Sequence, residues 1–158
     1  MRMGILADTH DNLPKIKKAV RLFNRKRVDF VLHAGDYIAP FALKSLLEGL
    51  SCDFCGVFGN NDGEREGLSR VSQEKIKASP LRITLDGRRI VLVHDLGSIN
   101  LTAEQAQLVI FGHTHKPEIR HKASSILINP GECCGWLSNR SSVATIDLHT
   151  LTPLIFYL

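Results

Sequence analysis

The sequence predicts an α/β fold in which two stacked mixed β-sheets, a β-sandwich, are flanked by helices. Three observations carry that expectation. The first half of the 158-residue chain alternates short apolar runs with helical patterns, which implies parallel strands joined by helical crossovers. The second half is a succession of short β-patterned runs with turn residues between them. A chain of this length builds one core, so both halves are expected to share it, as one domain over residues 1–158.

Residues 3–7 are short and apolar and form the first strand, which enters a polar turn at 8–13. A helix follows from about Pro14, because Ile16, Ala19, Val20 and Phe23 recur at i, i+3, i+4 and i+7. Proline near the first helical position is tolerated, since its missing N–H would find no partner there anyway. Phe30–His33 is a second strand running into Gly35-Asp36. A second helix spans about 40–48, with Gly49 as its stop. A third strand passes through Val57-Phe58 and ends in Gly59-Asn60-Asn61-Asp62-Gly63, and a weak charged helix is expected over 64–77.

From Leu81 the texture changes. Leu81–Leu85, Asp86-Gly87 and 88–93 read as a hairpin, because Asp-Gly supplies the positive φ angles of a two-residue turn. Capping-box spacing from Thr102 to Gln105 suggests a short helix. Residues 108–111 form a buried strand entering Gly112-His113, and 120–121, 126–128, 143–146 and 154–157 continue as strands.

Hydrophobic residues make up 44% of the chain and charged residues 23%, values that exclude a disordered chain. No apolar run reaches the ~18–20 residues of a bilayer span, and residues 1–7 lack the features of a secretory signal. A cytoplasmic protein with no membrane partner is expected. The net charge of +4 owes much to Lys15, Lys17, Lys18, Arg21, Arg25, Lys26 and Arg27. These lie on the outer face of the first helix, where a solvated surface explains them better than a nucleic-acid partner. Cys52 and Cys55 have CxxC spacing, but their segment alternates like a strand, whereas redox pairs usually open a helix. With Cys133 and Cys134 they are expected to be reduced thiols.

One regularity points to chemistry. Nearly every expected strand ends in a side chain able to hold a metal or a phosphate: Asp8 and His10, Asp36, Asn60, His94, then His113 and His115. Ligands gather at the carboxyl ends of strands in α/β sheets. A lone aspartate before a helix is often only an N-cap, and a lone histidine is background, as His33, His121 and His149 are taken to be. The ordered set is different, because it aims seven O- and N-donors at one region. Imidazole mixed with carboxylate suits Mn, Fe, Co, Ni or Zn better than Mg or Ca.

Asp8-Thr9-His10, Gly35-Asp36, Gly59-Asn60-Asn61-Asp62, His94 and Gly112-His113-Thr114-His115 resemble the five motifs of the calcineurin-like metallophosphoesterases. The resemblance covers nearly the whole chain. Its compact size and the tract Asn129-Pro130-Gly131-Glu132-Cys133-Cys134-Gly135 look like the small archaeal and bacterial phosphodiesterases of that superfamily. The resemblance implies that Asp8, His10 and His115 hold one divalent ion and Asn60, His94 and His113 a second, with Asp36 bridging both. It further implies phosphodiester hydrolysis by a hydroxide activated between the two ions. Manganese is the first expectation, with nickel, iron, cobalt or zinc as alternatives.

Two departures matter. The superfamily frequently has histidine where this chain has Asn61, beside the phosphate, and an amide can donate a hydrogen bond but no proton. Aryl diesters are therefore expected to be cleaved more readily than alkyl ones, with Asp62 left to shape the loop. His94 is followed by Asp95 where many relatives have glycine, and a loop role is favoured over one in orienting a ligand. Asn12 and Asn129 are explained equally well by turns and by substrate contact. Two alternatives to a small-molecule phosphodiesterase stay open: a non-catalytic protein-binding scaffold, as a retromer-coat subunit of similar fold is, and a nuclease. A homo-oligomer also stays open.

Overall fold

A computed structural model describes residues 1–122 and 124–158. Two sheets are present. The first has strand order β11-β10-β1-β2-β3-β4, with β1 Arg2–Leu6, β2 Phe30–His33, β3 Asp53–Val57, β4 Ile76–Lys77, β10 Ser142–Asp147 and β11 Thr152–Tyr157. The second has order β5-β6-β7-β9-β8, with β5 Leu81–Leu85, β6 Arg88–Leu92, β7 Leu108–Ile110, β8 Pro117–Lys122 and β9 Ser125–Pro130. β1 through β4 run parallel, as do β6, β7 and β9, while the outer pairings are antiparallel. Both sheets are mixed, as the sequence predicts.

The period-2 pattern decides what each face touches. Met3, Ile5, Leu32 and Val57 from the first sheet meet Ile90, Leu92, Leu108, Ile110 and Ile128 from the second, and this interface is the central core. The other face of the first sheet is covered by helices α1 Leu13–Lys26, α2 Pro40–Gly49 and α3 Arg65–Ser72. α1 buries Ile16, Ala19, Val20, Leu22 and Phe23. Asn12 caps it by accepting from Lys15 N, and Arg27 closes it in a left-handed conformation. Lys17, Lys18, Arg21, Arg25 and Arg27 face solvent, as a hydrated amphipathic helix requires. Among the described residues, no helix is long and apolar enough to cross a membrane.

Two expected elements are corrected. The helix expected over 64–77 is shorter, since α3 stops at Ser72 and Gln73 takes a left-handed cap. Ile76–Lys77 instead pairs in parallel with Gly56 and Val57, where Gly56 N donates to Lys75 O and Phe58 N to Lys77 O. Burying Ile76 and filling the open edge of β3 outweigh helical propensity there. Nor is there a helix at 102–105. Asn100 Oδ1 accepts from Thr102 N and Oγ1, making a local turn, and Glu104 is drawn off to pair with Arg82. Leu96–Ser98 forms a 3₁₀ turn that has no signal in the sequence; Asp95 opens it by accepting from Gly97 N, which is the loop role favoured for that residue.

Candidate metal centre

The carboxyl ends of β1, β2, β3, β6 and β7 converge, and the seven expected donors sit on the loops that leave them. Backbone bonds lace these loops together: Asp8 N donates to Gly35 O at 3.0 Å, Thr9 N to Asp36 O at 3.0 Å and Gly112 N to His94 O at 3.0 Å. Five donor-bearing residues, none of them glycine, have positive φ: Asp8 (52°), His10 (36°), Asp36 (62°), His113 (66°) and His115 (60°). Such conformations cost about 1–3 kcal/mol each and persist where surrounding structure enforces them, often at functional sites.

Asp36 is central and almost fully buried. Its Oδ2 lies 3.5 Å from His10 Nε2 and 3.5 Å from His94 Nε2. On one side, His115 Nε2 is 3.6 Å from Asp8 Oδ1, and the His10 and His115 rings stack at 5.3 Å. On the other, Asn60 Oδ1 is 2.8 Å from His94 Nε2 and 3.0 Å from His113 Nδ1. The donors thus form two groups that meet at Asp36. Glycine is required at two places beside it. A Cβ on Gly59 would lie 2.1 Å from Asp36 Oδ1, and one on Gly35 (φ 99°) would lie 2.7 Å from His94 Nδ1.

These residues fit a cation. Both carboxylate oxygens of Asp8 and Nε2 of His10 are buried without a hydrogen-bond partner among the described residues, a costly state for polar atoms. Nδ1 of His94 is 2.7 Å from Ala34 O, which can only accept, so Nδ1 donates there and Nε2 faces Asn60 Oδ1 and Asp36. Burial, with the neighbouring charge of Asp36, pushes the Asp8 carboxyl up to about 8. Ring nitrogens and carboxylates that converge on buried Asp8, Asp36 and His94, with Asn60 and His113 at the exposed rim, make the electrostatic pattern a divalent ion relieves. Asp8, Asp36 and His94 place ligand atoms within 4.8 Å of one another, and so do His10, His115 and Cys134.

The residues around the donors have legible tasks. Asp62 accepts from the backbone N–H groups of Asp36, Tyr37, Ile38 and Gly59 at 2.7–3.0 Å, so it shapes the loop. Asn61 donates from its backbone N to Asp36 Oδ1 (2.9 Å) and from Nδ2 to Asp36 Oδ2 (2.7 Å). Asn12 Nδ2 donates to Cys134 O and Asn129 Nδ2 to Gly112 O, so both serve as loop braces. His33 is core, between Thr9 Oγ1 and Gly35 N. All four cysteines are free, and burial raises the Cys55 and Cys134 thiols to about 12, so neither is an activated nucleophile.

Sequence reasoning missed Glu132. This fully buried carboxylate lies 3.0 Å from His115 Nδ1 and accepts from Cys134 Sγ, Leu137 N and Ser138 N. Burial alone would raise its pKa, but the bonds from Ser138, His115 and Cys134 outweigh it and hold the carboxyl at about 2. The only signal was an acid inside an otherwise small and apolar run, Pro130-Gly131-Glu132-Cys133-Cys134.

Comparison with known proteins places the chain among phosphoesterases. A profile of the calcineurin-like phosphoesterase superfamily domain matches residues 1–151. A phosphodiesterase of Methanocaldococcus jannaschii is 35% identical over 157 residues, covering 93% of each chain. The phosphodiesterase YfcE of Escherichia coli K12 is 25% identical over 146 residues, 83% of this chain and 78% of that one. A solved archaeal phosphodiesterase superposes with a TM-score of 0.91 at 32% identity, over 100% of both chains.

Proposed function

The chain belongs to the calcineurin-like phosphoesterase superfamily, and from that premise we propose that it is a phosphodiesterase dependent on two divalent metal ions. The observation that carries the reading is the position of Asp36, 3.5 Å from a histidine of each donor group. Asp8, His10 and His115 would hold one ion, Asn60, His94 and His113 the other, and the Asp36 carboxylate would serve both. Bound there, the ions supply Lewis acidity that lets water ionise near neutral pH and offsets charge gathering on the phosphoryl oxygens.

The chain's own residues do the rest. Ala34 O holds His94 in one tautomer and Glu132 does the same for His115, so that each turns Nε2 inward. The Asn61 amide, anchored on Asp36, hydrogen-bonds a phosphoryl oxygen but has no proton for the leaving group. General-acid help is typically worth ~10²–10⁴-fold, so its absence favours esters whose alcohol leaves unaided, above all aryl diesters. Manganese is the favoured ion, with nickel, iron, cobalt or zinc as substitutes at a mixed N/O site.

The test is metal-stripped protein assayed on bis(4-nitrophenyl) phosphate, 4-nitrophenyl phosphate and single-stranded DNA, with each metal restored in turn. Hydrolysis of the small diester after restoration, with two ions bound per chain, is expected. Asp36→Asn should bind fewer than two. No hydrolysis of any ester in metal-saturated protein would sink the reading and leave a scaffold, and strongly salt-sensitive cleavage confined to DNA would point to a nuclease.

A further inference from the structure

Trp136 is the single tryptophan of the chain. It is 62% exposed, and Leu137 beside it is 74% exposed. The indole is nevertheless held in place, because Nε1 donates to the backbone oxygen of His10 at 3.2 Å. The segment that carries it is fastened to the same frame as the metal donors. Cys133 N donates to Ala7 O (2.9 Å) and Cys134 N to Asp8 O (3.0 Å), and the Glu132 carboxylate that accepts from Leu137 N also lies against His115 Nδ1. A large apolar surface therefore stands in water directly beside His10, whose ring stacks on that of His115.

Exposed apolar side chains are common singly, but a tryptophan and a leucine side by side, one of them hydrogen-bonded to a donor residue, are better explained by use. The Nε1–H lies in the plane of the ring. A bond through it fixes the indole by its edge and leaves its π faces open for stacking.

We propose that Trp136, with Leu137, forms the subsite for the ester group of the substrate and selects phosphodiesters that carry a flat aromatic group. This rests on the phosphodiesterase reading and deepens it. Stacking on Trp136 supplies affinity for the same aryl esters that a site lacking a proton donor at Asn61 can cleave. Leu137 extends the apolar surface for the part of the ring that the indole does not cover. The expected discrimination between an aromatic and a methyl ester group is about 2- to 12-fold in affinity.

The experiment uses phenylphosphonate and methylphosphonate, which have no ester bond to hydrolyse, titrated into the full chain with Mn²⁺ present. Binding is read by calorimetry, and by fluorescence, which in this protein comes from Trp136 alone among tryptophans. Phenylphosphonate should bind more tightly by the stated factor and change the emission more. Trp136→Ala should bring the two affinities together by weakening only phenylphosphonate, while Trp136→Phe should keep most of the preference. Equal affinities in the unaltered protein, or a preference that survives Trp136→Ala, overturn the inference. So does a variant that loses both phosphonates equally, since Trp136 would then serve only to hold His10. If methylphosphonate binds and diesters are hydrolysed without discrimination, the inference alone fails. If neither phosphonate binds and no diester is cleaved, the phosphodiesterase reading fails with it.

Discussion

Glu132 Oε2 lies 3.0 Å from His115 Nδ1, joining a buried acid to the imidazole of a proposed metal ligand 17 residues away in sequence. The contact fixes the proton on Nδ1 and leaves Nε2 toward Asp8, 3.6 Å distant. Glu132→Gln keeps the size but removes the charge and places an amide among donors. Metal affinity should fall about 10- to 100-fold, measured by competition with a chromophoric chelator, while the circular dichroism spectrum stays native. Unchanged affinity would reduce Glu132 to a loop brace.

On the proposed reading, Asp8 should give the protein a pH-dependent response to cations. The unfolded chain releases this proton near pH 3.8, but burial and the Asp36 charge hold it in the folded state until about pH 8. Within that window the unfolded state binds fewer protons, so stability falls as pH rises from about 4 to 8. In EDTA the Tm should drop between pH 5 and pH 8, and added Mn²⁺ should raise it more at pH 8. Asp8→Asn should flatten the slope in EDTA. A slope unchanged by that substitution would assign the penalty elsewhere.

Asp62 holds four backbone N–H groups in a buried position, three of them on the loop that carries Asp36. Asp62→Ala strands those donors, and bonds to a charged acceptor contribute about 1.5–3 kcal/mol each. Urea unfolding should show a loss of about 3 kcal/mol or more, with metal binding weakened as a consequence of the displaced loop. A loss below about 1 kcal/mol would mean that water replaces the carboxylate.

The positions of the seven donors were legible because each follows a β-strand whose apolar run is plain in the sequence, and a parallel sheet sends all such ends to one edge. Which atoms face one another was not. Glu132 acquires its task only when β9 brings Pro130 and Gly131 beside the loop carrying His115, a relation with no local signature. The charged neighbours of Ile76–Lys77 suit a helix, and the unfilled edge of β3 decides against it. The bond from Trp136 to His10 O spans 126 positions and leaves no local trace in the sequence. Periodicity reports which face is buried, whereas side-chain partnerships between distant loops depend on the packed frame.

The proposed mechanism puts Asn61 at the place from which a proton donor would assist the leaving group, and its Nδ2 lies 2.7 Å from Asp36 Oδ2. Asn61→His puts a titratable group at that place without altering Asp62, which holds the loop from below. The gain should depend on the ester. A 4-nitrophenolate departs unaided and should be released at nearly the same rate, while an alkyl ester of the same phosphate needs the proton and should be cleaved about 10- to 100-fold faster, within the range of general-acid catalysis. The variant's rate on the alkyl ester should also acquire a fall at alkaline pH, as the imidazolium loses its proton, that the unaltered protein should not show. Rates for paired aryl and alkyl diesters across pH 5–9 check both points. An unchanged aryl-to-alkyl ratio would show that position 61 does not face the leaving group, and would leave its amide the sole task of holding the Asp36 carboxylate.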